Sequence, residues 1–182
     1  MDRRKFIKWQ VVSGAALLAS NTFKLSRKLW ASNRPDLVVV KGNPGQATRS
    51  AVEMLGGMSE FVKPGQKVLI KPNMSFDQAP ESGTNTHPEV IKALVAMCDQ
   101  AGAEEVFILD NPLRQAELCL ENSKIKETIE EIKACQVKMR EDPEDFVNVK
   151  INQAEQMTKT EVMKEVLEAD VLIAAPTAKH HS

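Results

Sequence analysis

The sequence contains no tyrosine, and aromatic residues make up only 4% of its 182 positions. The three cysteines, Cys98, Cys119 and Cys135, form no Cys-x-x-Cys pair, so the chain holds no iron–sulfur cluster motif and no local zinc motif. Their odd number argues against a disulfide framework. The formal net charge is −1, so no basic excess indicates a nucleic-acid partner.

Long apolar runs are also lacking. The stretch from Val11 to Ala19 is far shorter than the roughly 20 residues that span a bilayer, and we expect no transmembrane helix beyond it. It follows the run Arg3-Arg4-Lys5-Phe6-Ile7-Lys8, which resembles the twin-arginine export motif. A basic start followed by a short apolar stretch predicts a signal peptide, with its linker, over residues 1–34. The alternative is a basic amphipathic helix on a membrane surface.

This resemblance implies a cellular route and a partner. The partner is the twin-arginine translocation machinery, and the destination is the periplasm or another extracytoplasmic space. Cleavage after Ala31, cleavage near Ala19 and retention as a membrane anchor all stay open, because no small-x-small site stands out. Cargo of this pathway commonly crosses the membrane folded around a cofactor, so the resemblance favours a bound cofactor.

From Pro35 onward, short apolar runs alternate with stretches of helical periodicity, which is typical of an α/β domain. We predict one domain over residues 35–182, with a mostly parallel sheet and helices on both faces. The expected strands are 37–40, 67–70, 106–109 and 170–175, and the expected helices are 46–55, 86–101, 123–133 and 159–168. A buried parallel strand is ordinarily followed by a covering helix, so we also expect a C-terminal truncation.

Polar residues follow these strands where ligands bind in open α/β sheets. One hypothesis is an anion or cofactor site, in which the start of the helix after Thr86 attracts a negative group. Its candidate residues are Lys71, Asn73, Thr86, His87, Asp110 and Lys179. A second hypothesis is a divalent metal, because imidazole and carboxylate groups suit zinc or iron. Its candidate ligands are His87, Asp110 and His180. Each has a plainer alternative, His87 as a helix cap and Asp110 as a turn residue.

Four ordered blocks resemble a known family, the domain of unknown function family 362. They are Val68-Leu69-Ile70-Lys71-Pro72-Asn73, then Thr86-His87-Pro88-Glu89-Val90, then Ala101-Gly102-Ala103 before a strand that ends in Asp110, and then Ala169-Asp170-Val171-Leu172-Ile173 through Pro176, Lys179 and His180. The resemblance implies no particular reaction. It does imply a redox association, since some members carry or accompany ferredoxin-type iron–sulfur domains, and hence a ferredoxin-like or redox partner.

The resulting functional hypothesis is an exported domain that binds a small anionic ligand or cofactor at the carboxyl ends of the strands. One alternative is a metal-dependent enzyme that uses His87, Asp110 and His180. The other is a non-catalytic accessory subunit.

Overall fold

The computed structural model describes residues 35–130, 132, 135–139 and 142–180. The proposed signal segment, residues 1–34, lies outside this range. The α/β fold belongs to the second of two units of the chain, which begins at Val38. Within the described residues the strands are β1 (Lys67–Pro72), β2 (Glu105–Asp110), β3 (Cys135–Met139), β4 (Phe146–Lys150), β5 (Lys159–Met163) and β6 (Val171–Ala175). The helices are α1 (Pro44–Met54), α2 (Pro88–Gln100), α3 (Ala116–Asn122), α4 (Ile125–Ile129) and α5 (Lys164–Glu168).

Four strands form a parallel sheet in the order β3-β2-β1-β6. The central strand β1 is paired on both sides, with Val68 opposite Val106 of β2 and Val171 of β6. Both interior strands are rich in buried apolar residues, which is the pattern of a sheet covered on both faces. The predicted α/β class with a mostly parallel sheet flanked by helices is therefore confirmed.

Helix α2 covers one face of this sheet. Its buried side chains Ile91, Leu94, Val95 and Cys98 recur at helical spacing and form one stripe that joins the core. The helix ends before Gly102, whose φ of +87° favours glycine. A Cβ at Gly102 would lie 3.3 Å from Pro64, so the turn also needs the missing side chain.

The opposite face of the sheet carries Leu69, Leu109 and Leu172. It is partly covered by the antiparallel hairpin of β4 and β5 and by the short helix α5, with an apolar cavity of about 360 Å³ between them. We call this space the hairpin cavity; it is lined by Leu69, Lys71, Leu109, Asp110, Asn111, Phe146, Glu161, Val162, Met163, Val166, Leu172 and Ala174.

Three predictions of local structure need correction. Residues 37–40 are not in a strand, because no described strand pairs with them, and Leu37 and Val39 are mostly exposed. Residues 159–163 form strand β5 instead of helix, because they pair with β4. In the 123–133 region the described helix is limited to Ile125–Ile129.

In the described part of the chain, every helix is too short or too polar to cross a bilayer.

Candidate functional site

Strands β1, β2 and β6 are parallel neighbours, so their carboxyl ends meet at one edge of the sheet. This geometry brings together most of the side chains singled out in the sequence. The residues joined there by hydrogen bonds or a shared pocket are Lys71, Asn73, Thr86, Asp110 and Lys179.

Asp110 ends β2 and is almost completely buried, with 2% of its side chain exposed. One carboxylate oxygen accepts from Lys71 Nζ at 2.6 Å and from the Asn111 amide at 3.0 Å. The other accepts from the Met74 amide at 2.8 Å and from Ser75 Oγ at 3.1 Å. Four donors satisfy a buried charge that would otherwise be costly. Asp110 therefore fixes Lys71 and the loop after β1, and its oxygens are already occupied.

Thr86 joins the ends of two strands. Its Oγ1 donates to the Ala175 carbonyl oxygen at 2.6 Å and accepts from the Asn73 amide at 2.8 Å. Its own amide donates to the Asn73 carbonyl oxygen at 2.7 Å, and Asn73 Nδ2 donates to the Thr84 carbonyl oxygen at 3.2 Å. Since Thr86 is 5% exposed, these bonds form in a buried setting and hold β1, β6 and the start of α2 in fixed relation.

Lys179 connects the segment after β6 to the loop between β1 and α2. Its ammonium group donates to the Thr84 carbonyl oxygen at 2.8 Å and lies 4.2 Å from the centre of the Phe76 ring. The second geometry is that of a cation–π contact. Asn85 braces the same loop, because its side chain bonds the backbone of Phe76 and Gln78.

These elements line a partly open pocket of about 320 Å³, which we call the edge pocket. Its size lies in the range of small-molecule sites. Two ammonium groups line it, and no carboxylate does among the described residues. The buried Thr177 hydroxyl at this pocket has no hydrogen-bond partner in the described part of the chain. The full lining is Lys71, Pro72, Asn73, Ser75, Phe76, Leu113, Ala174, Pro176, Thr177 and Lys179.

His87 has a different position from the one that the sequence suggested. It caps α2, with Nδ1 accepting from the Glu89 amide at 3.2 Å. The first helical residue, Pro88, has no N–H, and Glu89 brings a carboxylate to the first turn. The start of α2 is therefore a capped terminus with an acidic neighbour, and His87 is not among the residues that line the edge pocket. The structure therefore does not bring His87 into the edge pocket, and an anion site at the helix start stays a prediction.

The proposed metal ligands also do not assemble. Within residues 35–180, wherever the chain is described, no three His, Cys, Asp or Glu side chains lie close enough to hold a metal ion. His87 uses Nδ1 as a cap, Asp110 is saturated by four donors, and His180 is exposed. The structure therefore does not bring His87, Asp110 and His180 together among the described residues, and the metal site stays a prediction.

A larger hollow of about 480 Å³ lies beside α3 and α4, away from the strand ends. It is open to solvent and lined mainly by charged side chains, Glu117, Glu121, Lys124, Lys126, Glu127 and Glu130. Lys124 and Glu127 already pair at 3.5 Å. A ligand on this charged surface would stay in contact with water, and ion pairs formed there would be weakened by solvent. The edge pocket is therefore the better candidate site.

Sequence reasoning missed Ser75, Phe76 and Leu113, which complete the site. Ser75 lies in a polar stretch after β1, and its bond to Asp110 depends on the folded path of that stretch. The one available signal was Phe76, a large apolar side chain within an otherwise polar stretch. Leu113 is 73% exposed and gave no periodic signal.

The fold and the pocket thus define an α/β protein with a lysine-lined site at the carboxyl edge of its sheet. Residues 68–182 match the family model described as Domain of unknown function (DUF362), and the chain belongs to this family. The matched region begins in β1 and includes every residue of the edge pocket.

The chain is also similar to a thylakoid-associated protein of Synechocystis sp. (strain ATCC 27184 / PCC 6803 / Kazusa), with 31% identity over 140 residues. This alignment covers 74% of the chain and 40% of the relative, so the chain spans about two fifths of the relative's length. No solved structure matches the chain.

Proposed function

We propose that this chain is an exported binding domain that holds a small anionic ligand or cofactor in the edge pocket. The observation that carries the proposal is the presence of two lysines, Lys71 and Lys179, in the described lining of this pocket. Lys71 already pairs with Asp110 beside the pocket, whereas Lys179 has no carboxylate partner among the described residues, so its positive charge is the one left for a ligand. Such a pocket attracts negative charge, and its partly apolar walls strengthen that attraction by excluding water.

Both ammonium groups have donors left for a ligand. An ammonium group has three N–H donors. Lys71 uses one on Asp110 and one on the Pro72 carbonyl oxygen, so the third is available. Lys179 donates to the Thr84 carbonyl oxygen and also faces the Phe76 ring. The unpartnered Thr177 hydroxyl supplies a further group at the pocket. These three side chains can bind a carboxylate or phosphate with charge-assisted hydrogen bonds.

Ligand binding is tested by titrating the purified chain with phosphate and with acetate while NMR chemical shifts are monitored. We expect shifts at Lys71, Thr177 and Lys179, and affinity that falls about tenfold in Lys71→Gln and in Lys179→Gln. Lys67→Gln is the matched control, because Lys67 is exposed and lies on the same strand at the opposite edge of the sheet. Equal binding by all three variants, or no binding by the parent chain, contradicts the proposal.

The proposal of export is supported by Arg3 and Arg4 and by the short apolar stretch that follows them in the sequence. The thylakoid association of the similar Synechocystis protein supports a location at or beyond a membrane. The test expresses the full chain in a bacterium that has the twin-arginine system, and then separates the periplasm from the cytoplasm. We expect the double variant Arg3→Lys with Arg4→Lys to stay cytoplasmic, and Arg27→Lys to be exported like the parent. Export of the double variant contradicts this route.

The redox association implied by the family resemblance stays a prediction. Residues 1–182 hold no iron–sulfur motif, and the partner that we propose is a ferredoxin-like or other redox protein. We expect a coloured iron–sulfur protein to co-purify with the exported chain. Purification of the exported chain without such a protein would contradict the proposed association.

A further inference from the structure

The hairpin cavity and the edge pocket are neighbours that share two lining residues. Lys71 and Ala174 line both spaces, one at the end of β1 and the other paired beside it on β6. The Lys71 ammonium is held in place by the buried Asp110, which itself lines the hairpin cavity. A cation thus lies where an apolar space meets a lysine-lined one.

The two spaces differ in chemistry. The hairpin cavity, about 360 Å³, is lined chiefly by aliphatic and aromatic side chains, with its charged residues close to the strand ends and on β5. The apolar set includes Leu69, Leu109, Phe146, Val162, Val166 and Leu172. Few polar groups are available there for a sugar or another hydroxyl-rich molecule, which would lose its hydrogen bonds to water. An alkyl chain or ring gains from burial in the same space.

From this juxtaposition we infer that the ligand is an amphiphilic carboxylate, and the inference rests on the proposed function of the edge pocket. Its apolar part occupies the hairpin cavity, and its carboxylate binds Lys71 and, across the edge pocket, Lys179. Leu172 lies on the sheet face beside the hairpin, yet it is 56% exposed. The apolar part of the ligand can therefore pack against a leucine that the rest of the chain leaves exposed.

The test compares decanoate, decanol and acetate by calorimetric titration of the full chain, with all probes below their aggregation concentrations. Decanoate has about eight more methylene groups than acetate, and burial of part of them is expected to raise affinity at least about a hundredfold. Decanol is expected to bind about tenfold more weakly than decanoate, because it lacks the charge that pairs with Lys71.

Two variants test separately the contributions of the ligand's apolar part and of its carboxylate to the affinity. Leu172→Gln is expected to weaken decanoate about tenfold while leaving acetate unchanged, and Met54→Gln, an equally exposed apolar residue on α1, is the control. Lys71→Gln is expected to weaken decanoate and acetate alike and to leave decanol unchanged. Circular dichroism melts of each variant confirm that it folds.

The outcomes distinguish the two proposals. If acetate binds through Lys71 but decanoate binds no more tightly, the amphiphile is excluded and the proposed anion site stands. If decanoate and decanol bind equally in the parent and in Lys71→Gln, the cavity takes apolar molecules only, and the inference is wrong. If neither anion binds, the proposed function fails and the inference fails with it.

Discussion

The ammonium group of Lys71 lies 2.6 Å from a carboxylate oxygen of Asp110, and the two side chains differ sharply in exposure, 53% against 2%. The lysine belongs to β1 and the aspartate to β2, so the contact crosses from one strand end to the next. Because Asp110 is fixed by three other donors, it acts as the anchor and Lys71 as the group presented to the pocket. The pair thus links the buried core of the sheet to the proposed site.

We predict that Asp110→Asn destabilises the fold by about 2–3 kcal/mol. An asparagine keeps one acceptor oxygen, but its amide group then faces two of the donors that Asp110 now satisfies. Urea unfolding measured by circular dichroism gives the change in the free energy of unfolding. Asp99→Asn, at an exposed position near the end of α2, is the control and is expected to change it by less than about 0.5 kcal/mol. Similar losses in both variants would show that Asp110 is not an anchor.

A second prediction concerns the Thr86 hydroxyl, which bridges β1 and β6. Thr86→Val keeps the shape of the side chain and removes both hydroxyl bonds, so we expect a loss of about 2 kcal/mol and faster hydrogen exchange at the Asn73 amide. Thr86→Ser should recover most of the stability.

The control for this variant is Thr48→Val, because the hydroxyl of Thr48 donates within α1, to the Pro44 carbonyl oxygen, and no other bond of it is found among the described residues. Removal of the Thr48 hydroxyl should leave the hydrogen-exchange rate of the Asn73 amide unchanged. If Thr86→Val also leaves that rate unchanged, the hydroxyl does not connect the two strands.

The sequence predicted the parallel sheet and the meeting of the polar residues, because both follow from local patterns. Apolar runs such as 68–70 and 106–109 have no polar face, and the carboxyl ends of parallel strands share one edge. Strand β3 was missed although Cys135, Val137 and Met139 alternate with polar residues, since five residues of alternation are a weak signal.

Other features depend on partners that are distant in the chain. Residues 37–40 have the composition of a strand, but composition does not provide a neighbouring strand. Conversely, residues 159–163 became a strand because Val162 and Thr160 pair with Val147 and Val149 of β4. The hairpin cavity exists only through this pairing, so the apolar half of the proposed site could not be anticipated from local sequence.

His87 gives a third prediction, which separates its capping role from the metal hypothesis. His87→Ala removes the acceptor for the Glu89 amide and should cost about 1 kcal/mol, whereas His87→Asn retains a capping oxygen and should cost less. Thermal melts measure both changes. Addition of zinc or of a chelator should shift the melting temperatures of the parent and both variants equally. A stabilisation by zinc that disappears in both variants would restore the metal hypothesis for His87.

The last prediction concerns two thiols, that of the buried Cys98 on α2 and that of the half-buried Cys135 on β3. Burial raises the pKa of Cys98 to about 11, and burial together with the neighbouring Cys98 raises the pKa of Cys135 to about 12. Thiolates are the reactive form of cysteine, so both residues should resist alkylation by iodoacetamide at pH 8.5 in the folded protein and react rapidly in urea. Mass spectrometry of the labelled peptides measures this protection.

The same raised pKa values set the direction of a pH effect on stability. Above the ordinary thiol pKa of 9.0, the unfolded chain releases these protons while the folded chain keeps them, so the free energy of unfolding falls as the pH rises. The loss begins near pH 9 and continues to about pH 11 for Cys98, at no more than about 1.4 kcal/mol per pH unit for this one thiol. Urea midpoints at pH 8, 9 and 10 measure the slope, and Cys98→Ala should have a shallower slope than the parent. Equal slopes, or rapid alkylation of the folded protein, would mean that the Cys98 thiol is not held in its protonated form by the core.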